Sequence, residues 1–217
     1  KVKDLYAFEI DPKLCSILKK RFTNFTNFHL IEKDFLLLNE EWWQSMPSNL
    51  KVVSNTPYYI SSQIIYNIIR FRKYIKTAIL TVQKEVGEKT ISSPGSKNYG
   101  PISVLNHIYT NSKICYSLSK DVFFPKPEVS SVVLKIKPLE KPKFQISEEK
   151  KFNDFLKHIF MLRRKKLINV VNKVFGLEKS EFEKISEANK IETGIRVENL
   201  TPEELYKFFL LINPKIK

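Results

Sequence analysis

The chain has 217 residues, 42% of them hydrophobic, which is enough to bury a core, suggests one domain plus a small appendage, and excludes disorder as the default class. Lys and Arg total 37 against 23 Asp and Glu, and the resulting formal charge of +14 attracts polyanions at long range, so nucleic acid is the first partner expected. No apolar run approaches the roughly 20 residues of a spanning helix and no signal-peptide pattern is visible, so no membrane partner and a cytoplasmic location are expected.

In chain order, residues 5–10 predict a buried strand, residues 12–22 a helix with Pro12 in its first turn, and residues 28–31 a second strand ending near Asp34. The pattern repeats with a strand at 50–54, a helix at 61–71 carrying Ile64, Ile65, Ile68 and Ile69 on one face, and a strand at 77–82. Such alternation argues for a parallel sheet covered by helices. Residues 114–119 and 130–136 predict an antiparallel pair at one sheet edge, flanking the turn-rich Phe123-Phe124-Pro125-Lys126-Pro127. Residues 138–144, with Pro138 and Pro142, form the best linker. Beyond it, residues 148–162 and 166–175 have helical spacing, Gly176 is a plausible cap, and Thr201-Pro202-Glu203-Glu204 signals a last helix. The division expected is a catalytic domain over residues 1–140 and an all-helical domain over 145–217. Cys15 and Cys115 lie in apolar segments with no ligand nearby in sequence, so reduced core cysteines and no metal site are expected. His29, His107 and His158 are scattered singly and read as structural.

The richest chemistry follows the apolar stretch 50–53, in Ser54-Asn55-Thr56-Pro57-Tyr58-Tyr59. An Asn amide oxygen and a backbone carbonyl freed by the turn at Pro57 can accept both hydrogens of an aromatic amine, while Tyr58 offers its face to the ring. The lone pair of an adenine N6 is delocalised into the ring. Two acceptors that draw its hydrogens out of plane make that lone pair available without a titratable base. Read alone, the motif is equally a strand ending in a proline turn with two half-buried tyrosines.

In open α/β sheets ligands collect at the carboxyl ends of strands, where Glu9, Asp34 and Asn55 all fall. A carboxylate there accepts both hydrogens of a ribose diol, which suits Glu9; Asp34 could accept from an adenine amino group, with the Phe35 N–H donating to the ring. Taken singly, each acid is more often a helix cap or a surface charge.

Phe8-Glu9-Ile10-Asp11, Lys33-Asp34-Phe35-Leu36, Asn55-Thr56-Pro57-Tyr58-Tyr59, Gln83-Lys84-Glu85-Val86 and Phe123-Phe124-Pro125-Lys126-Pro127-Glu128-Val129-Ser130-Ser131 occur in that order. Together they resemble the ribosomal RNA adenine dimethyltransferases of the small-subunit type, over nearly the whole chain. Arg163-Arg164-Lys165-Lys166-Leu167 and Arg196-Val197-Glu198-Asn199-Leu200 resemble the C-terminal helical region of that family.

The resemblance implies a Rossmann-like methyltransferase sheet and a helical RNA-binding domain. It implies S-adenosylmethionine as cofactor, held by Glu9, Ile10, Asp34, Phe35 and Asn55. Asn55 and the Pro57 carbonyl would orient the target amine, with Tyr58 and Phe123 stacking on the target base; Phe124 is expected in the core. The implied substrate is 16S ribosomal RNA in a pre-30S particle, with two adjacent adenosines near its 3′ end dimethylated during ribosome biogenesis by a monomer. Arg163, Arg164, Lys165 and Lys166 are expected on phosphates, with Lys84, Lys89 and Lys97 lining the RNA approach.

Two departures stand out. The five glycines, Gly87, Gly95, Gly100, Gly176 and Gly194, make no G-x-G, and Lys1 stands immediately before what would be the family's second strand, so the family's first strand, first helix and glycine loop are expected to be absent. An N-terminally incomplete chain is therefore expected, with a gap beside the Asn55 strand and weak cofactor binding. Thr56 stands where the family more often has an aliphatic residue, and reads as neutral. The competing functions are a large-subunit ribosomal RNA methyltransferase of the macrolide-resistance type and a non-catalytic ribosome-assembly factor.

Overall fold

A computed structural model describes residues 2–189 and 191–213; Lys190 and the last four residues of the expected helical domain lie outside it. The chain forms two compact units, Lys1–Ser48 and Asn49–Lys217.

In the first unit, β1 (Leu5–Phe8) and β2 (Phe28–Ile31) pair in parallel, Leu5 opposite Phe28 and Phe8 opposite Ile31, and α1 (Pro12–Arg21) connects them. Asp11 starts α1 by accepting from the Lys13 N–H at 2.7 Å, Pro12 needs no partner at the first position, and Lys19, Lys20 and Arg21 face the negative end of the helix dipole. A short helix, α2 (Glu40–Ser45), is capped by Asn39 and buries Trp43. Among the described residues of this unit the buried apolar side chains are Cys15, Leu38 and Trp43, with edge-on ring contacts joining Phe8 to Phe35 and Trp42.

The second unit is built on a four-stranded sheet in the order β3 (Leu50–Asn55), β4 (Ile75–Gln83), β6 (Ser131–Pro138), β5 (Thr110–Leu118). β3 and β4 are parallel, while β6 runs antiparallel to both β4 and β5, which makes β5 an edge strand. Among the described residues β3 is hydrogen-bonded to β4 alone and β1 to β2 alone, so the strands form two ladders.

Side chains alternate along the central strands. Ala78, Leu80, Val82, Val132, Leu134 and Ile136 are fully buried on one face, against α3 (Ser61–Arg70) and α4 (Lys84–Ile91), while α5 (Pro101–Tyr109) packs on β5 and on both of these helices. α4 lies so close that a Cβ built on Gly87 would sit 2.4 Å from Val132 Cγ2, so this helix position requires glycine.

α5 has no counterpart in the sequence expectations. Seven of its nine residues are buried, so it carries no polar stripe for a periodic reading to find. The expected linker is pinned rather than free: the Leu139 N–H donates to Tyr109 O at 2.9 Å and the Lys143 N–H to Ile108 O at 3.0 Å.

Beyond it lie α6 (Glu149–Phe160), α7 (Leu167–Phe175), α8 (Lys179–Asn189) and α9 (Pro202–Ile212) around an aromatic core of Phe152, Phe155, Phe182, Phe208 and Phe209. Gly176 closes α7 at φ +67°, and Thr201 with Glu204 forms the capping box of α9. α6 and α9 both pack on α5, so the helical region shares one compact unit with the four-stranded sheet.

Candidate nucleotide and target-base sites

Parallel pairing in the first unit brings the ends of β1 and β2 together: the Glu9 N–H donates to Ile31 O at 3.2 Å, and Asp34 follows three residues after Ile31. Each carboxylate is turned onto its own backbone by one oxygen. Glu9 Oε1 accepts from the Ile10 N–H at 2.8 Å and the Asp11 N–H at 2.9 Å, and Asp34 Oδ1 accepts from the Leu36 N–H at 2.8 Å. The second oxygen of each acid and the Phe35 N–H carry no hydrogen bond among the described residues.

Asp34 is thus a cap, the plain alternative raised by the sequence, yet the cap fixes the rotamer and leaves an acceptor. That set suits the ribose hydroxyls and the adenine edge of an adenosine moiety. For the methionine end of such a donor, residues 2–86 include no glycine, so none of these described residues builds a backbone cradle of the glycine type. Among the described residues no cluster of three or more His, Cys, Asp or Glu could hold a metal ion.

The second site lies wholly in the second unit. Asn55, Thr56, Pro57, Tyr58, Phe123, Phe124, Pro125 and Pro127 line a cleft of about 300 Å³, at the lower end of small-ligand pockets. Asn55 ends β3 opposite Thr81, is exposed, and its side-chain amide makes no hydrogen bond among the described residues. Tyr58 is half-buried and its hydroxyl is 2.7 Å from Ser131 Oγ, a fully buried group at the start of β6. That bond fixes the phenol at its far end and leaves its ring to line the cleft.

The turn between them is latched by Thr56, buried at 3% exposure. Its N–H donates to Thr81 O at 3.1 Å and its hydroxyl to the same carbonyl at 2.6 Å. Ser61 Oγ lies 3.2 Å from Thr56 Oγ1 and 3.1 Å from Pro57 O, so its single proton is shared between those acceptors. Thr56 therefore has a definite role where the sequence suggested a neutral exchange: its hydroxyl bond is one an aliphatic side chain cannot make.

The Pro57 carbonyl also accepts the Ile60 N–H at 3.2 Å, whereas the Thr56 carbonyl accepts nothing among the described residues. A sequence reading that looked only at the proline passed over this acceptor.

Phe123 is half-buried at the cleft, but Phe124 corrects the expectation of core packing. At 102% relative exposure it stands clear of the protein. The segment Ser119–Lys126 that carries both rings is closed by Lys126, whose ammonium pairs with Asp121 at 2.5 Å and, with Ser119, holds that carboxyl below its ordinary pKa.

The basic cluster divides. Arg163 is half-buried and its Nη1 donates to Lys97 O at 2.7 Å and Tyr99 O at 3.2 Å, with Glu198 3.8 Å from its Nε. It straps the loop between α4 and α5 to the helical region, helped by the Gly95 N–H, which donates to Glu198 O at 2.7 Å. Arg164, Lys165 and Lys166 are exposed, as is Lys97. Cys15 is buried and Cys115 only half-buried, at the bulge in β5, and both are free thiols.

The chain is similar to known proteins. The sequence matches the family described as ribosomal RNA adenine dimethylase over residues 1–214. It is 33% identical to a ribosomal RNA small subunit methyltransferase A of Natranaerobius thermophilus, over 100% of this chain and 77% of the relative, and 33% identical to one of Clostridium botulinum, over 95% and 75%.

Among solved structures it resembles a dimethyladenosine transferase from Plasmodium falciparum, with TM-score 0.75 and 24% identity over 98% of this chain and 83% of that one. It also resembles the 23S rRNA methyltransferase ErmE, with TM-score 0.63 and 18% identity over the same shares. These two likenesses fix the fold alone: a Rossmann-like α/β sheet with a helical C-terminal region. The extent of the sequence match goes further and bears out the resemblance, with its adenine-methylating chemistry and its S-adenosylmethionine donor: the chain belongs to the ribosomal RNA adenine dimethylase family.

Proposed function

We propose that this protein dimethylates N6 of two adjacent adenosines near the 3′ end of small-subunit ribosomal RNA, acting as a cytoplasmic monomer on a pre-30S particle. The observation that carries the reading is the cleft at the end of β3, where an uncommitted Asn55 amide, an uncommitted Thr56 carbonyl and the rings of Tyr58 and Phe123 line one base-sized space. The names of the relatives at 33% identity support the small subunit over the large.

S-adenosylmethionine supplies an electrophilic methyl group on a sulfonium. Glu9 and Asp34, each through the oxygen not bonded to its own turn, would hold the ribose hydroxyls and the adenine amino group, with the Phe35 N–H on the ring and Ile10 beside it. Asn55 Oδ1 accepts one hydrogen of the target amine. The second acceptor is better assigned to the Thr56 carbonyl than to that of Pro57, which already closes the turn.

No proton need leave before attack, so positioning is the main device, and a misplacement of about 1 Å costs on the order of 10²-fold. Tyr58, tied to Ser131, and Phe123 replace stacking that the target base loses when it leaves its neighbours. The exposed Arg164, Lys165 and Lys166 would contact phosphates from the helical region, residues 145–217; Arg163 serves them as a strap.

The test uses small subunits from a strain lacking the modification. Asn55→Ala should lower methyl transfer at least ~10²-fold while subunit binding is retained, with primer extension confirming the site on the small-subunit RNA. Unchanged transfer would remove the mechanism, and a stop on the large-subunit RNA would redirect the substrate. Normal growth support without any transfer by the wild-type protein would favour the assembly-factor alternative.

A further inference from the structure

A phenylalanine ring fully in water forgoes the gain of burial, and a lone exposed apolar group on a surface often needs no explanation. Phe124 differs in its place. It stands on the rim of the cleft lined by Asn55, Thr56, Tyr58 and Phe123, and Val122, two residues before it, is also 67% exposed. The segment that presents it is anchored, with β5 and β6 paired at its two ends and Asp121 bonded to both Ser119 and Lys126 within it. The ring is therefore held outward by a fastened loop, beside the space into which the target base goes.

Extrusion of a base leaves a hole in its stack, and the neighbouring base loses a partner. Apolar side chains that enter such gaps are a general way of stabilising the opened nucleic acid. We propose that Phe124 stacks on the nucleotide adjacent to the target adenosine, taking the place that the extruded base vacates. Phe123 and Tyr58 would then face the extruded base while Phe124 faces the one left behind, so consecutive residues 123 and 124 serve two consecutive nucleotides. This inference rests on the assignment of the cleft to a target adenine made above.

The probe is an RNA hairpin with two adjacent adenosines in its loop, carrying the fluorescent base 2-aminopurine in place of the second, titrated with the full chain at low salt. Stacking of Phe124 on that base should quench it on binding. Phe124→Ala, a change at an exposed position, should abolish the quench and weaken binding roughly 5- to 100-fold, in line with the loss of one base–aromatic stack. Phe124→Trp should restore both.

Quenching and affinity in Phe124→Ala equal to those of the wild type would overturn the proposal, as would failure of Trp to restore them. A second hairpin with 2-aminopurine at the first position reports extrusion; that base lacks the 6-amino group, so the readout is of ring stacking, and there Tyr58→Ala and Phe123→Ala should reduce the change. If neither does, the cleft assignment itself fails; if both do while Phe124→Ala matches the wild type in the first hairpin, only the role of Phe124 fails. Binding of the wild type without any fluorescence change at the second base would leave Phe124 for a protein contact and equally reject its role on RNA.

Discussion

The turns after β1 and β2 and the turn after β3 carry polar residues at matching strand ends, but they stand on different foundations. β1 and β2 have four residues each, none of them buried, and the unit around them buries only Cys15, Leu38 and Trp43 among its apolar side chains. β3 pairs with β4, whose Ala78, Leu80 and Val82 are inaccessible and lie beside equally buried residues of β6. The contrast extends to the side chains. Glu9 and Asp34 each hold their own backbone, so local sequence positions them. Tyr58 is held by Ser131 and Thr56 by Thr81, partners brought in by the sheet. Geometry at the ends of β1 and β2 is thus set locally and geometry at the end of β3 by tertiary structure.

Amide exchange gives the largest test of that contrast. Protection follows local opening free energy, and amides of β4 and β6 should exchange on the order of 10³-fold more slowly than those of β1 and β2. Equal protection would mean that the two units open as one. Gly87→Ala strikes the stronger foundation directly, because its methyl would collide with Val132, and overpacking of this kind costs about 1–3 kcal/mol. Chemical denaturation should show that loss, with the turns after β1 and β2 unaffected in their own chemical shifts.

Tyr58→Phe removes the partner of a buried Ser131 hydroxyl and should cost about 1–2 kcal/mol. Adding Ser131→Ala should recover part of it, and absence of any recovery would show the two groups to be uncoupled. The smallest effect belongs to Asp121, whose carboxyl is held below its ordinary pKa chiefly by Lys126. The contribution of that pairing is fully present above the unfolded value of about 4 and is lost as pH falls through the lowered folded value. The difference in melting temperature between the wild type and Asp121→Asn should be small at neutral pH and vanish in acid. A difference that grows in acid would reverse the assignment.

What could be read from sequence tracks the same division. β2 and the N-terminal starts of α1 and α3 fall where periodicity and capping place them, because those signals are local. α5 was hidden because burial on all sides leaves no stripe, and the short α2, as well as α4 with its interior glycine, offered weak patterns. Asn55, Tyr58 and Phe123 were legible through their motifs, and the structure brings all three to one cleft. The strap formed by Arg163 was not: nothing in a run of four cations says that the first reaches carbonyls of a distant loop. Nor does the doublet Phe123-Phe124 reveal which ring is inward, since two adjacent residues of one kind have no pattern to break the tie.

That strap has a consequence for anyone recombining these proteins. The loop from Ser93 to Gly100 is fastened by Arg163 and by the Glu198 carbonyl, and Tyr99 packs its ring edge-on against Phe160. A chimera that exchanged the C-terminal helices at the apparent seam near residue 145 would import foreign side chains to meet a loop shaped for these. The workable crossover is discontinuous: the helices and residues 93–100 have to be transplanted together, although more than forty residues of sheet and helix separate them along the chain.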